Sequence, residues 1–311
     1  MPAPDNDAGT HAPGGRKPPW LKVRAGGGQR FARVQRIISA GRLHTVCQSA
    51  GCPNRGQCWN AGTATLMILG EVCTRDCRFC DVPTGRPGPA DEDEPDRVAA
   101  AVAAMGLAHV VLTCVNRDDL GDGGGAIWAR TVRAVRGSCP ATTIEVLPGD
   151  FAGRRESCRP LLEAAPDIFG HNVEVVPRLY GAARPQADYQ RSLTVLRWGA
   201  EAGLVTKSAL MLGVGETIPE VAEVLRDLRG VGVRIVAIGQ YLQPSRRHLD
   251  VVRYVPPDEF DALAELARGM GFDGVACGPL VRSSYQAERF AHLARKEARP
   301  AGMQGIKTEE G

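Results

Sequence analysis

ATLMILGEVCTRDCRFCDV, residues 64–82, runs from a short apolar stretch directly into a loop that carries Cys73, Cys77 and Cys80. A buried strand that opens at once into a polar loop is how parallel α/β folds present their chemistry, at the carboxyl ends of the strands. Five further runs repeat the strand half of this pattern: HVVLTCV (109–115), TTIEVL (142–147), IFGHNVE (168–174), SALMLGV (208–214) and RIVAIGQYL (234–242). The segments at about 95–106, 124–136, 154–164, 187–202, 217–230 and 257–270 carry apolar residues at helical spacing. Pro219 marks one helix start, and Gly232 and Gly271 follow helix ends. Strands buried on both faces and joined by helical crossovers form a parallel sheet, so the pattern predicts an α/β fold, an incomplete (β/α)6 barrel. Polar clusters fall where such a fold keeps its site: NRDDLGDGG after the second run, PGDF after the third, HNVEVVPR at the fourth, GVGET after the fifth and QYLQPS after the sixth.

The 311 residues suit one catalytic core with extensions. With 43% hydrophobic and 23% charged residues the chain is ordinary for a globular protein, and neither disordered nor fibrous. Its net charge of +3, from 38 basic and 35 acidic residues, is too even for a nucleic-acid footprint. No run approaches the ~18 apolar residues of a membrane helix, and the first residues lack the apolar core of a secretory signal. A cytoplasmic protein with no nucleic-acid or membrane partner is expected. The ten cysteines then read as metal ligands, catalytic groups or buried thiols rather than as a disulfide framework. Residues 1–19 and 298–311, polar and rich in Pro and Gly, read as flexible tails.

Three thiolates on one short loop repel one another unless a cation neutralises them. Structural zinc takes four ligands, commonly as cysteines two residues apart, whereas here the first gap holds three residues and no fourth ligand stands nearby. An iron-sulfur cluster is held by thiolates, and three of them leave one iron of a 4Fe-4S cluster open. A second trio, Cys47, Cys52 and Cys58 in CQSAGCPNRGQC (47–58), has a different rhythm, Cys-x4-Cys-x5-Cys. By itself it fits a zinc knuckle or a redox site.

The Cys-x3-Cys-x2-Cys pattern with Phe79 before its last cysteine resembles the signature of radical S-adenosylmethionine enzymes, in which the open iron binds S-adenosylmethionine and one electron cleaves it to a 5′-deoxyadenosyl radical. Together with the upstream trio, VLTCVNRDDL, HNVEVVPRLY, LMLGVGET, GQYLQPS and GPLVRSSYQA, the chain resembles the lipoyl synthases from about Lys17 to about Ala287. The resemblance implies a radical-SAM barrel at 64–272. An N-terminal extension (20–63) and a C-terminal extension (273–297) would cover its open site. It implies a sulfurtransferase of lipoate biosynthesis that inserts two sulfur atoms at carbons 6 and 8 of an octanoyl-lysine on a carrier protein.

Two 4Fe-4S clusters and S-adenosylmethionine follow as implied cofactors. Cys73, Cys77 and Cys80 would hold the radical-generating cluster; Cys47, Cys52 and Cys58 would hold an auxiliary cluster that donates sulfur. The fourth auxiliary ligand is expected in Arg282-Ser283-Ser284-Tyr285, at Ser284 rather than Ser283. Phe79, Thr113, Asn172, Glu174, Arg178, Lys207 and Gln240 are the candidate cofactor contacts, Phe79 beside the adenine. Asn172 and Glu174 would share one side of a strand end. The implied partners are octanoylated lipoyl domains of 2-oxoacid dehydrogenase complexes, the glycine-cleavage carrier protein, an electron donor such as ferredoxin or flavodoxin, and an iron-sulfur carrier.

Asp118 and Asp119 are expected to position Arg117 or another basic group, and the histidines to be structural, with His171 alone near the site. The chain departs from the family pattern at Cys114, where a serine is usual, and at Gly149 in the PGDF loop. Cys139, Cys158 and Cys277 read as small packed hydrophobes. A biotin-synthase-like enzyme and a zinc-stabilised RNA-binding module using PSRRH (244–248) are the rival readings.

Overall fold

The computed structural model describes residues 17–23 and 27–297, so the compositional tails lie outside it except for residues 17–19. The strands are β1 (His44–Thr45), β2 (Thr63–Ile68), β3 (His109–Cys114), β4 (Thr143–Leu147), β5 (Ile168–Gly170), β6 (Val205–Leu212), β7 (Ile235–Gln240) and β8 (Gly274–Gly278). The helices are α1 (Gln29–Ala40), α2 (Val46–Ser49), α3 (Arg55–Ala61), α4 (Glu94–Met105), α5 (Gly125–Ser138), α6 (Arg155–Glu163), α7 (Tyr180–Ala183), α8 (Tyr189–Glu201), α9 (Ile218–Gly230), α10 (Pro257–Gly269) and α11 (Ala291–Glu297).

All eight strands form one sheet in chain order, β1 to β8, with β2 to β8 parallel and β1 antiparallel on the edge of β2. The six strands expected from the sequence are β2 to β7, and each expected helix is present within a residue or two. Local chemistry explains the boundaries. Thr217 and Glu220 close a reciprocal capping box on α9, Asp188 caps α8, and left-handed Gly106 ends α4.

Three strands differ from the expectation, one of them β1, a two-residue strand added at the edge of β2. β8 is added at the far edge; its small, half-exposed residues leave no apolar run to recognise. β5 stops at Gly170 instead of continuing to Glu174, because Glu174 takes a left-handed φ of 66° and turns the chain aside onto β6, where it pairs with Leu210.

Alternation along the strands sorts the side chains into two layers. Leu66, Ile68, Val110, Leu112, Ile144 and Val146 face outward and pack against Val98 and Val102 of α4 and Trp128 and Val132 of α5. Leu210, Val236 and Ile238 meet α9 and α10 in the same way. The opposite face is mixed. Its lower half holds His109, Glu145 and Lys207 in contact, capped by Phe290 beneath the Lys207 ammonium. Higher up, Ala209 and Ala237 receive Val281 of the segment that follows β8.

That segment closes the open side between the two sheet edges. Its Leu280 carbonyl accepts from Asn54 Nδ2 at 2.6 Å, Tyr285 donates to Gln57, and Glu288 accepts from Thr63 of β2. Gly239 permits the passage, since a Cβ there would run into the Val281 carbonyl. Gly239→Ala is therefore expected to lower stability by ~1–3 kcal/mol, read by thermal denaturation. The control Gly137→Ala, in open space on α5, should be neutral or stabilising by up to ~1 kcal/mol. Equal effects of the two would refute this account of the closure.

Candidate active site

The cysteine loop follows β2 and has no helix or strand of its own, so its shape comes from what grips it. Its ends are pinned backbone to backbone: Cys73 N–H donates to Pro83 O at 2.8 Å and Gly85 N–H to Cys73 O at 2.9 Å. On one flank Thr74 N–H donates to Asn116 O, and the Cys73 sulfur accepts from the N–H groups of Arg75 (3.4 Å) and Asn116 (3.3 Å). On the other flank Arg78 N–H reaches Ala183 O, and Asp76 N–H reaches Gln186 Oε1. From above, Leu249 N–H donates to Arg78 O, and His248 Nε2 lies 3.1 Å from Cys80 O. A carbonyl only accepts, so His248 donates from Nε2 to Cys80 O, and its Nδ1 lies 2.9 Å from the Ser245 hydroxyl.

Arg75 is the principal anchor. Its guanidinium, 6% exposed, grips Asp118 through two hydrogen bonds of 2.7 Å and Asp150 through one of 2.6 Å, while Arg191 approaches the other Asp150 oxygen. Burial pushes the Asp150 carboxyl up, but the hydrogen bonds and charge of Arg75 more than offset this and hold it well below the usual carboxylate range. Asp119 pairs with Arg117 instead. Thus both aspartates position a base as expected, and the base at the cysteine loop is Arg75. Gly149 lies in the same corner: a Cβ there would meet the end of the Asn116 side chain, whose backbone N–H donates to the Cys73 sulfur.

The three thiols lie close enough to act on one another. Burial first, and then the neighbouring Cys77 and Cys73, push the Cys80 thiol up to about 12. Burial raises the Cys77 thiol, and the charge of Arg184 opposes this.

The second trio sits on α2, the turn after it, and α3. Thr45 caps α2, and Cys52 N–H closes back on Cys47 O. Burial, then Cys47 and Cys52, push Cys58 up to about 12. A small cavity is lined by Cys47, Cys52, Cys58, Arg282, Ser284 and Tyr285 among others. Ser283 instead donates to Asn172 Oδ1 at 3.1 Å. The two serines therefore face different ways, Ser284 to the upstream trio and Ser283 to the HNVE segment.

The other sequence candidates divide. Asn172 donates to Glu174 Oε1, so these two do meet, beyond the strand rather than on it. Phe79 packs against the core cluster around Tyr180 and Val173. Thr113 donates to Leu147 O across the sheet. Gln240 is occupied by backbone: Val255 donates to it, and it donates to Leu212 O, Tyr241 O and Arg253 O. Lys207, 1% exposed, is ion-paired with Glu145 at 2.7 Å. Arg178 lies on the surface, bonded to Glu220 and Gly215 O. The arginine at the cysteines is Arg184, which donates to Asn172 O and Val173 O and reaches Cys77. His171 is buried with Nδ1 on Pro148 O, and burial and Arg184 lower it to about 4, so the ring is neutral. Cys114 is half-buried near Trp128 and Cys73, its thiol pushed up to about 12 by desolvation.

The donor sets fit thiolate-held clusters. Among the described residues no group of His, Cys, Asp or Glu is placed to hold a single metal ion. Each trio nevertheless gathers three thiols, which would repel one another as thiolates, near a guanidinium, Arg184 or Arg282, that has no carboxylate within ion-pairing distance among the described residues. A cluster carrying net negative charge would satisfy both needs at once.

Two outcomes follow from this geometry. Glu145→Leu strands the Lys207 ammonium and is expected to cost ~3–5 kcal/mol, while adding Lys207→Met recovers most of the loss; chemical denaturation checks both, and a double variant no better than the single would contradict the pairing. Asp150 has a depressed pKa when folded, so its contribution is complete above the unfolded value of ~3.9 and is lost as pH falls below it. In melts of wild type against Asp150→Asn, the stability gap should stay constant from about pH 8 to 5 and shrink below about pH 4. A gap that is flat down to pH 3 would remove Asp150 from the anchor.

Comparison with known proteins agrees with this geometry. A model described as the Radical SAM superfamily matches residues 67–228, from β2 through α9. Lipoyl synthase of Methylococcus capsulatus is 55% identical over 89% of this chain and 87% of its own. That of Rubrobacter xylanophilus is 51% identical over 91% and 88%, and that of Bacteroides fragilis 47% over 90% and 98%. Among solved structures, methylornithine synthase superposes with a TM-score of 0.53 at 14% identity over 78% of this chain and 74% of that one. The hydrogenase maturase HydG gives 0.55 at 13%, over 79% and 63%. These two likenesses concern the fold alone. Near-full-length identity of this order, over a barrel whose first loop gathers three cysteines and whose N-terminal extension gathers three more, means that the chain belongs to the lipoyl synthase family of the radical SAM superfamily.

Proposed function

We propose that the protein inserts two sulfur atoms at carbons 6 and 8 of an octanoyl group amide-linked to a lysine of a carrier protein, the sulfur-insertion step of lipoate biosynthesis. One observation carries the reading: a single short segment lines the cavity of the upstream trio with Ser284 and bonds through Ser283 to Asn172, whose carbonyl accepts from the Arg184 that acts on Cys77. An acyl chain lying along that segment would have hydrogen abstraction available from one side and sulfur from the other.

Cys73, Cys77 and Cys80 would hold the radical-generating cluster, and Cys47, Cys52, Cys58 and Ser284 the auxiliary one. When bound, the first cluster with S-adenosylmethionine supplies a carbon radical strong enough to take hydrogen from an unactivated C–H bond, and the second supplies the sulfur. The protein's own part is to hold and shield. The Arg75 anchor keeps the cysteine loop in place, and Asn172 and Glu174 offer polar atoms beside it. Residues 20–63 and 273–297 serve as the two extensions that meet over the open side, through the Asn54 and Tyr285 contacts. A serine oxygen binds iron less durably than a thiolate, which suits a cluster that must give up sulfur. Octanoylated lipoyl domains and the glycine-cleavage carrier are the proposed substrates, with a ferredoxin or flavodoxin as electron source and an iron-sulfur carrier for rebuilding. No described helix is long and apolar enough to cross a membrane.

Anaerobically reconstituted protein should be brown and carry about eight irons per chain. With dithionite, S-adenosylmethionine and an octanoyl-lysyl peptide, mass spectrometry should find a peptide gaining two sulfur atoms. Peptide left unmodified by fully loaded protein would overturn the reading. Ser284→Ala should lose sulfur insertion and auxiliary iron, whereas Ser283→Ala should keep its iron.

A further inference from the structure

Three arginines are largely buried: Arg75, Arg117 and Arg184. The first two are neutralised by aspartates. Arg184, 8% exposed, is not: its hydrogen bonds go to the Asn172 and Val173 carbonyls and the Tyr180 hydroxyl, over whose ring it lies, and its Nε has no partner. The carboxylates whose charge reaches it are held elsewhere, Glu174 by Asn172 and Asp150 by Arg75. Arg282, half-buried, is the counterpart at the other centre. It lines the upstream-trio cavity, and its one protein hydrogen bond among the described residues goes to the neighbouring Val281 carbonyl. The other guanidinium of that cavity, Arg55, lies over the rings of Phe31 and Trp59. Burying a cation against neutral groups is costly and persists where an anion completes the site.

We propose that Arg184 and Arg282 are the dedicated counter-charges of the two clusters, Arg184 acting at Cys77 and Arg282 at Cys52, and that each raises the reduction potential of its own cluster. The Arg282 half rests on the reading that the upstream trio holds a cluster. Reduction adds an electron to an already anionic centre, so a fixed adjacent cation stabilises the reduced form more than the oxidised one. The two guanidiniums sit at different trios, so their effects separate.

The test uses full-length chain in two backgrounds: Cys47/Cys52/Cys58→Ala, which leaves the radical trio, and Cys73/Cys77/Cys80→Ala, which leaves the upstream trio. Each is reconstituted anaerobically, analysed for iron, and titrated with dithionite under EPR. Arg184→Met is expected to make the first cluster about tenfold harder to reduce, ~59 mV lower, and to leave the second unchanged. Arg282→Met is expected to do the converse, and Arg→Lys at either position to restore most of the shift. If a Met variant fails to take up iron while the matching Lys variant loads fully, the charge requirement is upheld. If Met and Lys variants both fail to load, or load fully with unshifted potentials, or if either Met variant shifts both clusters alike, the inference is overturned. Should the Cys73/Cys77/Cys80→Ala protein take up no iron, the reading of the upstream trio fails instead, and the Arg184 half is judged on its own background.

Discussion

Holding three sulfur atoms in place on a loop that has no regular structure is the constraint to which the rest of the molecule answers. The thiols repel one another when ionised, and the loop has no ladder of its own to resist that repulsion. The solution is an ion pair driven through the loop from outside: Arg75, two residues from Cys73, is clamped by Asp118 from the loop after β3 and Asp150 from the loop after β4. Sheet order makes this possible, because parallel neighbours deliver consecutive loops to the same end of the barrel. Ala183, Gln186, His248 and Leu249 complete the grip from the loops after β5 and β7.

The same logic extends to the segment after β8. An incomplete barrel leaves a side open to water, which a radical reaction must exclude. The chain closes it with residues that each serve a neighbour: Val281 fills the space above Ala209 and Ala237, Ser283 touches Asn172, Ser284 turns to the upstream trio, and Phe290 lies beneath Lys207 at the bottom. The buried Lys207–Glu145 pair is part of that floor rather than of the site above it.

Much of this was legible in the sequence, and the part that was not has a common cause. Strands, helices and cysteine rhythms are local patterns, and local patterns carried β2 to β7, the six helices between and after them, and the grouping of the trios. Pairing of charges is non-local. Arg178 looked as eligible as any arginine because nothing in HNVEVVPR tells that Glu220, on α9, takes it. Arg184, in AARP, gave no signal, since its role depends on the absence of a carboxylate around it. Gln240 and Lys207 stand at plausible strand positions, yet both are consumed by groups distant in sequence. β8 escaped because Gly274 and Gly278 dilute its pattern. Gly149, read as a departure, leaves room for the Asn116 side chain.

The central claim is that two iron-sulfur centres face each other across the Ser283–Ser284 segment. Anomalous diffraction at the iron edge, on crystals of anaerobically reconstituted protein, tests it most directly. The account predicts two separate iron peaks, one bounded by Cys73, Cys77 and Cys80, the other by Cys47, Cys52, Cys58 and Ser284. A single iron site, or zinc at either trio, would contradict it.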